Sequence, residues 1–282
     1  MALGALYAKA AVGAVLPGRG KTLPDREIAR EGLAVDLGHL ADYARVCGFA
    51  LTDILPLTYP HVLAFPLQVE LMADRAFPLP LPGLVHVGNR ITAHRAIRAG
   101  ERLDVRVRAE RFAAHPKGAQ VDLVAAVSVA GEPVWDGRST YLARGASAPT
   151  GLAGEMPEVS DVDGPASAVW RVEKDTGRRY AAVSGDVNPI HLNPLTARAF
   201  GFPRAIAHGM WTAARAVAAL QGRVPDAATY EVLFRKPLLL PSAVELVTQP
   251  AGDGWNLSVR NRRTSAAHLA AQVHPRTRVM EP

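Results

Sequence analysis

Two long stretches of the chain alternate apolar and polar residues with a period of two. The first contains GLVHVGNRITAHRAI from Gly83, ERLDVRVRAERF from Glu101, VDLVAAVSVAG from Val121 and PVWDGRSTYLAR from Pro133. The second contains TYEVLFRKPLLL from Thr229, VELVTQPA from Val244, WNLSVRNRR from Trp255 and AAHLAAQVHP from Ala266. A period of two puts successive side chains on opposite faces, so each segment predicts a strand, and the short gaps predict antiparallel ladders. Ahead of each series stands helical sequence. GMWTAARAVAAL, Gly209 to Leu220, is interrupted by polar residues only at Thr212 and Arg215, and Gln221-Gly222 supplies an ending. A helix apolar on nearly every side has to be covered all round. A sheet wrapped round one central helix satisfies that order, which predicts an α+β fold.

The pattern occurs twice. YARVCGF, Tyr43 to Phe49, matches YAAVSGD, Tyr180 to Asp186, at an offset of 137 residues; PHVLAFPL from Pro60 faces AHGMWTAA from Ala207, pairing His61 with His208 at an offset of 147. The second copy therefore carries ten extra residues between its anchors, as a duplicated unit with a loop in one copy only. Between the copies, Ser147 to Pro165 is rich in Pro, Gly, Ser and acids without periodicity and reads as a linker. The expected organisation is an N-terminal unit 1–146, a linker 147–165 and a C-terminal unit 166–282.

Composition narrows the field without choosing a chemistry. Half of the 282 residues are apolar and a fifth charged, the balance of a globular protein, and no apolar run reaches the roughly 18 residues of a membrane span. Lys9 interrupts the apolar N-terminus, and its basic residues (Arg19, Lys21) follow the apolar stretch rather than precede it. That segment reads as the first strand or helix of the mature fold, not a secretory signal. Cys47 is the single cysteine and reads as a small buried hydrophobe; with no disulfide possible within the chain, a cytoplasmic setting is expected. The net charge of +6 suits an anionic partner, but the basic residues are scattered, which disfavours nucleic acid. Arg260, Arg262 and Arg263 read as a solvated face.

The extra loop, SGDVNPIHLNPLTARAFGFPRAIAHGM from Ser184, concentrates the candidate chemistry. Asn188-Pro189 is a helix-entry pair, repeated by Asn193-Pro194. Asp186 and His191 would point about 140° apart on one continuous helix; a chain broken at Asn188-Pro189 lets them converge. A carboxylate facing an imidazole can hold one water and move one proton each way, as addition or removal of water requires. Gly209 opens the central helix, where backbone N–H groups lack partners and negative charge is favoured. Asp186 also reads as a turn cap and His191 as a satisfied buried histidine. Ser184 lacks the glycines of a nucleophile elbow and reads as a turn former. Asp186, His191 and His208 could ligate a metal, but no Cys or second acid joins them, so no metal is expected.

The stretch from Tyr180 to Met210 resembles the signature of MaoC-like (R)-specific enoyl-thioester hydratases: a tyrosine-headed helix, SGD-x-NP-[IL]-H, then I-x-HGM. The two-unit layout is similar to double-hotdog members of that family, the actinobacterial 3-hydroxyacyl-thioester dehydratases. The resemblance implies a double hotdog and a hydro-lyase interconverting trans-2-enoyl and (R)-3-hydroxyacyl thioesters in fatty-acid or related lipid metabolism. It assigns Asp186 and His191 as the dyad and Gly209 as the oxyanion donor, with Asn188, Ser184 and Tyr180 in support. No cofactor is implied; the substrate arrives on coenzyme A or acyl carrier protein. Arg235 and Lys236 are the candidates for contacts to that carrier, and a homodimer is a possible assembly. Phe49 and Ile54 stand where the dyad would be in the first unit, which implies a copy without chemistry that makes room for a longer acyl chain. A thioesterase on the same fold would want an acid on the central helix, absent from Gly209–Leu220. An acyl-binding module is the non-enzymatic alternative.

Overall fold

The computed structural model describes residues 19–149 and 154–276. The expected first element falls mainly in residues 1–18 and lies outside them. Chain order is β1 (Glu27–Ala34), α1 (Leu37–Cys47), α2 (Tyr59–Met72), β2 (Leu84–Ala93), β3 (Arg102–His115), β4 (Gly118–Val129) and β5 (Glu132–Arg144). Then follow β6 (Ala168–Val172), α3 (Thr176–Ser184), α4 (Pro189–Leu192), α5 (Pro194–Ala199), α6 (Gly209–Ala218), β7 (Ala228–Phe234), β8 (Ser242–Ala251), β9 (Gly254–Asn261) and β10 (Ala267–Pro275). All eight predicted strands form. The edge strands β1 and β6 were not anticipated: β1 buries one residue of its eight and so carries no alternation, and β6 spans only five residues. The central helix α6 ends at Ala218, two residues short of the expected Leu220, and α3 begins a turn before Tyr180 instead of at it.

The ten strands form one antiparallel sheet in the order β1-β3-β4-β5-β2-β7-β10-β9-β8-β6. Each half of that order repeats the other from the edge inward. The halves join where β2 pairs with β7, with Ile91 opposite Tyr230 and Thr92 opposite Thr229. Inside the curled sheet, α2 buries eleven of its fourteen residues and α6 eight of ten, as helices covered on all sides must. The shorter α1 and α3 meet each other, and Tyr43 and Tyr180, matching residues of the repeated motif, bring their rings to 6.5 Å. The matching glycines explain themselves here. Gly48 and Gly185 each end a helix at φ +79° and +73°, a left-handed turn that glycine adopts without a Cβ penalty.

The segment that reads as a linker is irregular where described, yet it is bound along the sheet. Gln120 donates to the Glu155 carbonyl, Arg235 to that of Val159, and the Val162 amide to Ser258 Oγ. Cys47 is fully buried, its thiol pushed up to about 12 by desolvation. Of the three clustered arginines, Arg260 pairs with Glu245 at 3.0 Å and is only 21% exposed, so it belongs to the sheet rather than to a solvated face. Among the described residues no helix is long and apolar enough to cross a membrane.

Candidate active site

Helix α3 stops at Gly185, and the next seven residues build the site through local hydrogen bonds. Ser184 Oγ accepts from the Asp186 amide, and Asp186 Oδ1 accepts from the Asn188 amide. Asn188 then caps α4 by accepting from the Ile190 amide, and Asn193 caps α5 through the Leu195 amide. Each polar side chain serves the backbone two residues on, which turns the chain sharply enough for Asp186 and His191 to converge. Ser184 and Asn188 therefore shape the loop. Gly177 in α3 has a role the sequence did not disclose. A Cβ there would collide with the backbone carbonyl of His191, so its absence lets α3 pack directly on the histidine's loop.

The His191 ring donates from Nδ1 to the Ile206 carbonyl at 2.9 Å. Its Nδ1–H is thus committed and its Nε2 presents a lone pair. Ligating atoms of Asp186, His191 and His208 all lie within 4.8 Å of one another, a gap one water can bridge. His208 stacks on His191 with centroids 3.7 Å apart, donates from Nε2 to the Asp186 carbonyl, and lies 3.8 Å from the Asp186 carboxylate. Burial lowers both histidines, His208 to about 3, so both rings are neutral near pH 7. Tyr180 is buried behind them, 4.9 Å from the His208 ring. Its hydroxyl is driven upward by desolvation and stays protonated.

Gly209 is the first residue of α6, so its N–H has no carbonyl one turn back. A Cβ at this position would stand 2.9 Å from the Phe234 ring, closer than real contacts allow. The glycine, the dyad, Ser184 and Asn188 open on one cavity of about 780 Å³. One wall runs along α2 through His61, Phe65 and Met72; basic residues Lys117, Arg144 and Lys236 also line it. Arg235 lines the cavity too, but its guanidinium is tied to the Val159 carbonyl and lies 3.5 Å from Asp161. Lys117 and Arg144 come from the first half and are isolated in sequence, so nothing in the alternation pointed to them.

In the first half the positions matching the dyad hold Phe49 and Ile54. Phe49 stacks on Tyr43, and Ile54 lies in a bridge to Arg98. Trp211 and Arg215 of α6 reach across to the carbonyls of Val46 and Gly48. At the offset of 147, their counterparts on α2 are the much smaller Ala64 and the uncharged Gln68.

Sheet order and site together define a double-hotdog protein in which one of the two units carries a carboxylate–imidazole loop. The profile of the MaoC like domain matches residues 162–269, and that of the FAS1-like dehydratase domain region matches residues 41–136. The 3-hydroxyacyl-thioester dehydratase X of Mycobacterium tuberculosis is 41% identical over 267 residues, covering 94% of this chain and 95% of its own. The crystal structure of HtdX from the same organism superposes with a TM-score of 0.80 at 39% identity, covering 89% of this chain and 100% of that one. A MaoC-like dehydratase from Phytophthora capsici shares the fold at a TM-score of 0.76 and 17% identity, over 92% of this chain and 97% of that one. A further M. tuberculosis protein, described as having a double hotdog fold, matches at 0.54 and 14%, over 89% of this chain and 96% of that one. The chain belongs to the MaoC-like dehydratase family.

Proposed function

We propose that the protein is a 3-hydroxyacyl-thioester dehydratase, interconverting (R)-3-hydroxyacyl and trans-2-enoyl thioesters with Asp186 and His191 as its acid/base pair. The observation that carries this reading is the convergence of a carboxylate and a neutral, oriented imidazole beside the unpaired N–H of Gly209. In the hydration direction the Nε2 lone pair of His191 takes a proton from the bridging water as its oxygen bonds to C3. The imidazolium so formed, stabilised by the Asp186 carboxylate on the other side of that water, gives the proton on to C2, so both groups end as they began. Negative charge that builds on the thioester oxygen meets the Gly209 N–H and the positive end of the α6 dipole, worth about 3–4 kcal/mol for such a preorganised donor. Dehydration reverses each step. The chemistry calls for no cofactor.

The acyl chain runs along α2 past Phe65 and Met72, in the space that the first half no longer uses for catalysis. Lys117, Arg144 and Lys236 face the anionic thiol carrier, whether coenzyme A phosphates or an acidic carrier protein. Hydrolysis of the thioester is disfavoured because α6 carries no acid.

The test is loss of enoyl absorbance with crotonyl-CoA and a longer trans-2-enoyl-CoA, with and without a chelator. Activity that survives the chelator and falls at least 100-fold in both Asp186→Asn and His191→Ala supports the assignment. Full activity in either variant, or release of free thiol instead of hydration, overturns it.

A further inference from the structure

The acyl side of the cavity is not lined by hydrocarbon alone. His61 stands on the face of α2 that continues to Phe65 and Met72, residues spaced so that they project to one side of the helix. His86, from the start of β2, lines the same cavity. Its ring stacks on Tyr141 at 4.6 Å, lies 4.9 Å from Phe234 and 6.1 Å from His61. Phe234 is the ring against which Gly209 packs, so the two histidines flank the acyl path one aromatic ring beyond the thioester position.

Neither ring is spent on the protein. His61 is 4% exposed and makes no hydrogen bond among the described residues. His86 Nε2 is buried without a partner. Burial keeps both rings neutral, at about 4 for His61 and about 3 for His86. His86 thus brings a ring nitrogen without a protein partner to the wall of a ligand-sized space. A buried polar atom left unpaired is costly, and a hydrocarbon chain cannot satisfy it.

We infer that His86 and His61 form a recognition site for a hydroxyl group on the acyl chain beyond C3, making oxygenated acyl thioesters the preferred substrate class. The hydroxyl, able to donate or accept, pairs with His86 Nε2, and His61 provides a second polar contact across the channel. This deepens the dehydratase reading and rests on it for the direction in which the chain lies.

The experiment compares trans-2-octenoyl-CoA with its 4-, 5- and 6-hydroxy derivatives on the wild-type protein, His86→Phe and His61→Leu. Phenylalanine keeps the ring volume against Tyr141 and removes the ring nitrogens. The expected result is a kcat/KM at least tenfold higher for one hydroxylated isomer, with that ratio collapsing in His86→Phe and shrinking in His61→Leu. Calorimetric binding of octanoyl-CoA and the corresponding saturated hydroxyoctanoyl-CoA reads the same preference without turnover. Preference with no turnover would leave the recognition site standing and remove the dehydratase reading. Equal values for all four substrates in the wild type, or a ratio unchanged by His86→Phe, overturns the proposal.

Discussion

Gly209 and Gly177 are the two positions where a single methyl group would reach the chemistry. At Gly209 a Cβ would press on the Phe234 ring at 2.9–3.0 Å, so either the ring moves or the helix start does. Gly209→Ala is expected to lower kcat by about 10- to 100-fold, less than the roughly 10²–10³ for losing a preorganised donor outright, because the N–H is displaced rather than removed. Gly209→Ala with Phe234→Leu should regain part of it, because the ring that blocks the methyl has gone. Steady-state kinetics of the two variants decide this; equal rates would mean crowding is not the cause. At Gly177 the obstacle is the His191 backbone, which cannot rotate away. Gly177→Ala should therefore reduce kcat with little change in KM, although Gly177 touches no substrate. A loss seen only in KM would contradict the view that it positions His191.

Helix α2 shows how an element can keep its place in the fold and change its use. Its counterpart α6 begins at the dyad and supplies Gly209, whereas α2 offers one face, His61, Phe65 and Met72, as a cavity wall. Depth along a helix rises 1.5 Å per residue, so the wall from His61 to Met72 extends about 16 Å, room for a long acyl chain. Enlarging Phe65 should shorten it. Phe65→Trp is expected to lower the ratio of kcat/KM for a dodecenoyl over a crotonyl thioester by tenfold or more. An unchanged ratio would place the acyl chain elsewhere. The loop α3–α4–α5 teaches the complementary lesson. Its Asx and Ser contacts are all between neighbours two residues apart, and these are the features that the sequence spelled out.

For the molecule as a whole, gathering neutral histidines in one cavity has a cost at low pH. His61, His86 and His208 are held at about 4, 3 and 3 by burial, while in the unfolded chain they titrate near 6.5. Their folded pKa lies below the unfolded one, so the unfolded chain binds protons first as pH falls. Stability is complete above about pH 6.5 and is lost progressively toward pH 3–4, by as much as about 1.4 kcal/mol per pH unit for each ring. Thermal unfolding should accordingly show Tm dropping from pH 7 to pH 5, and less steeply in His61→Leu. A drop of equal slope in that variant would show that His61 is not part of the effect.

Periodicity, glycine spacing and Asn-Pro pairs depend on neighbours along the chain, and they were enough to define eight strands, two central helices, the repeat and the loop bearing Asp186 and His191. Edge strand β1 escaped because an edge is exposed and need not alternate, and β6 because five residues are too few to display a period. What the tertiary structure alone decided depends on residues far apart in the chain. It brought His61 and His86 beside Gly209 and Phe234, set Lys117 and Arg144 on the wall of a cavity whose dyad lies in the other half, and packed Gly177 against His191. It also laid Trp211 and Arg215 against the carbonyls of Val46 and Gly48, the first unit's counterparts of Val183 and Gly185. The sequence carries these residues singly, without period or motif, because packing between separate segments, rather than any local rule, selects them.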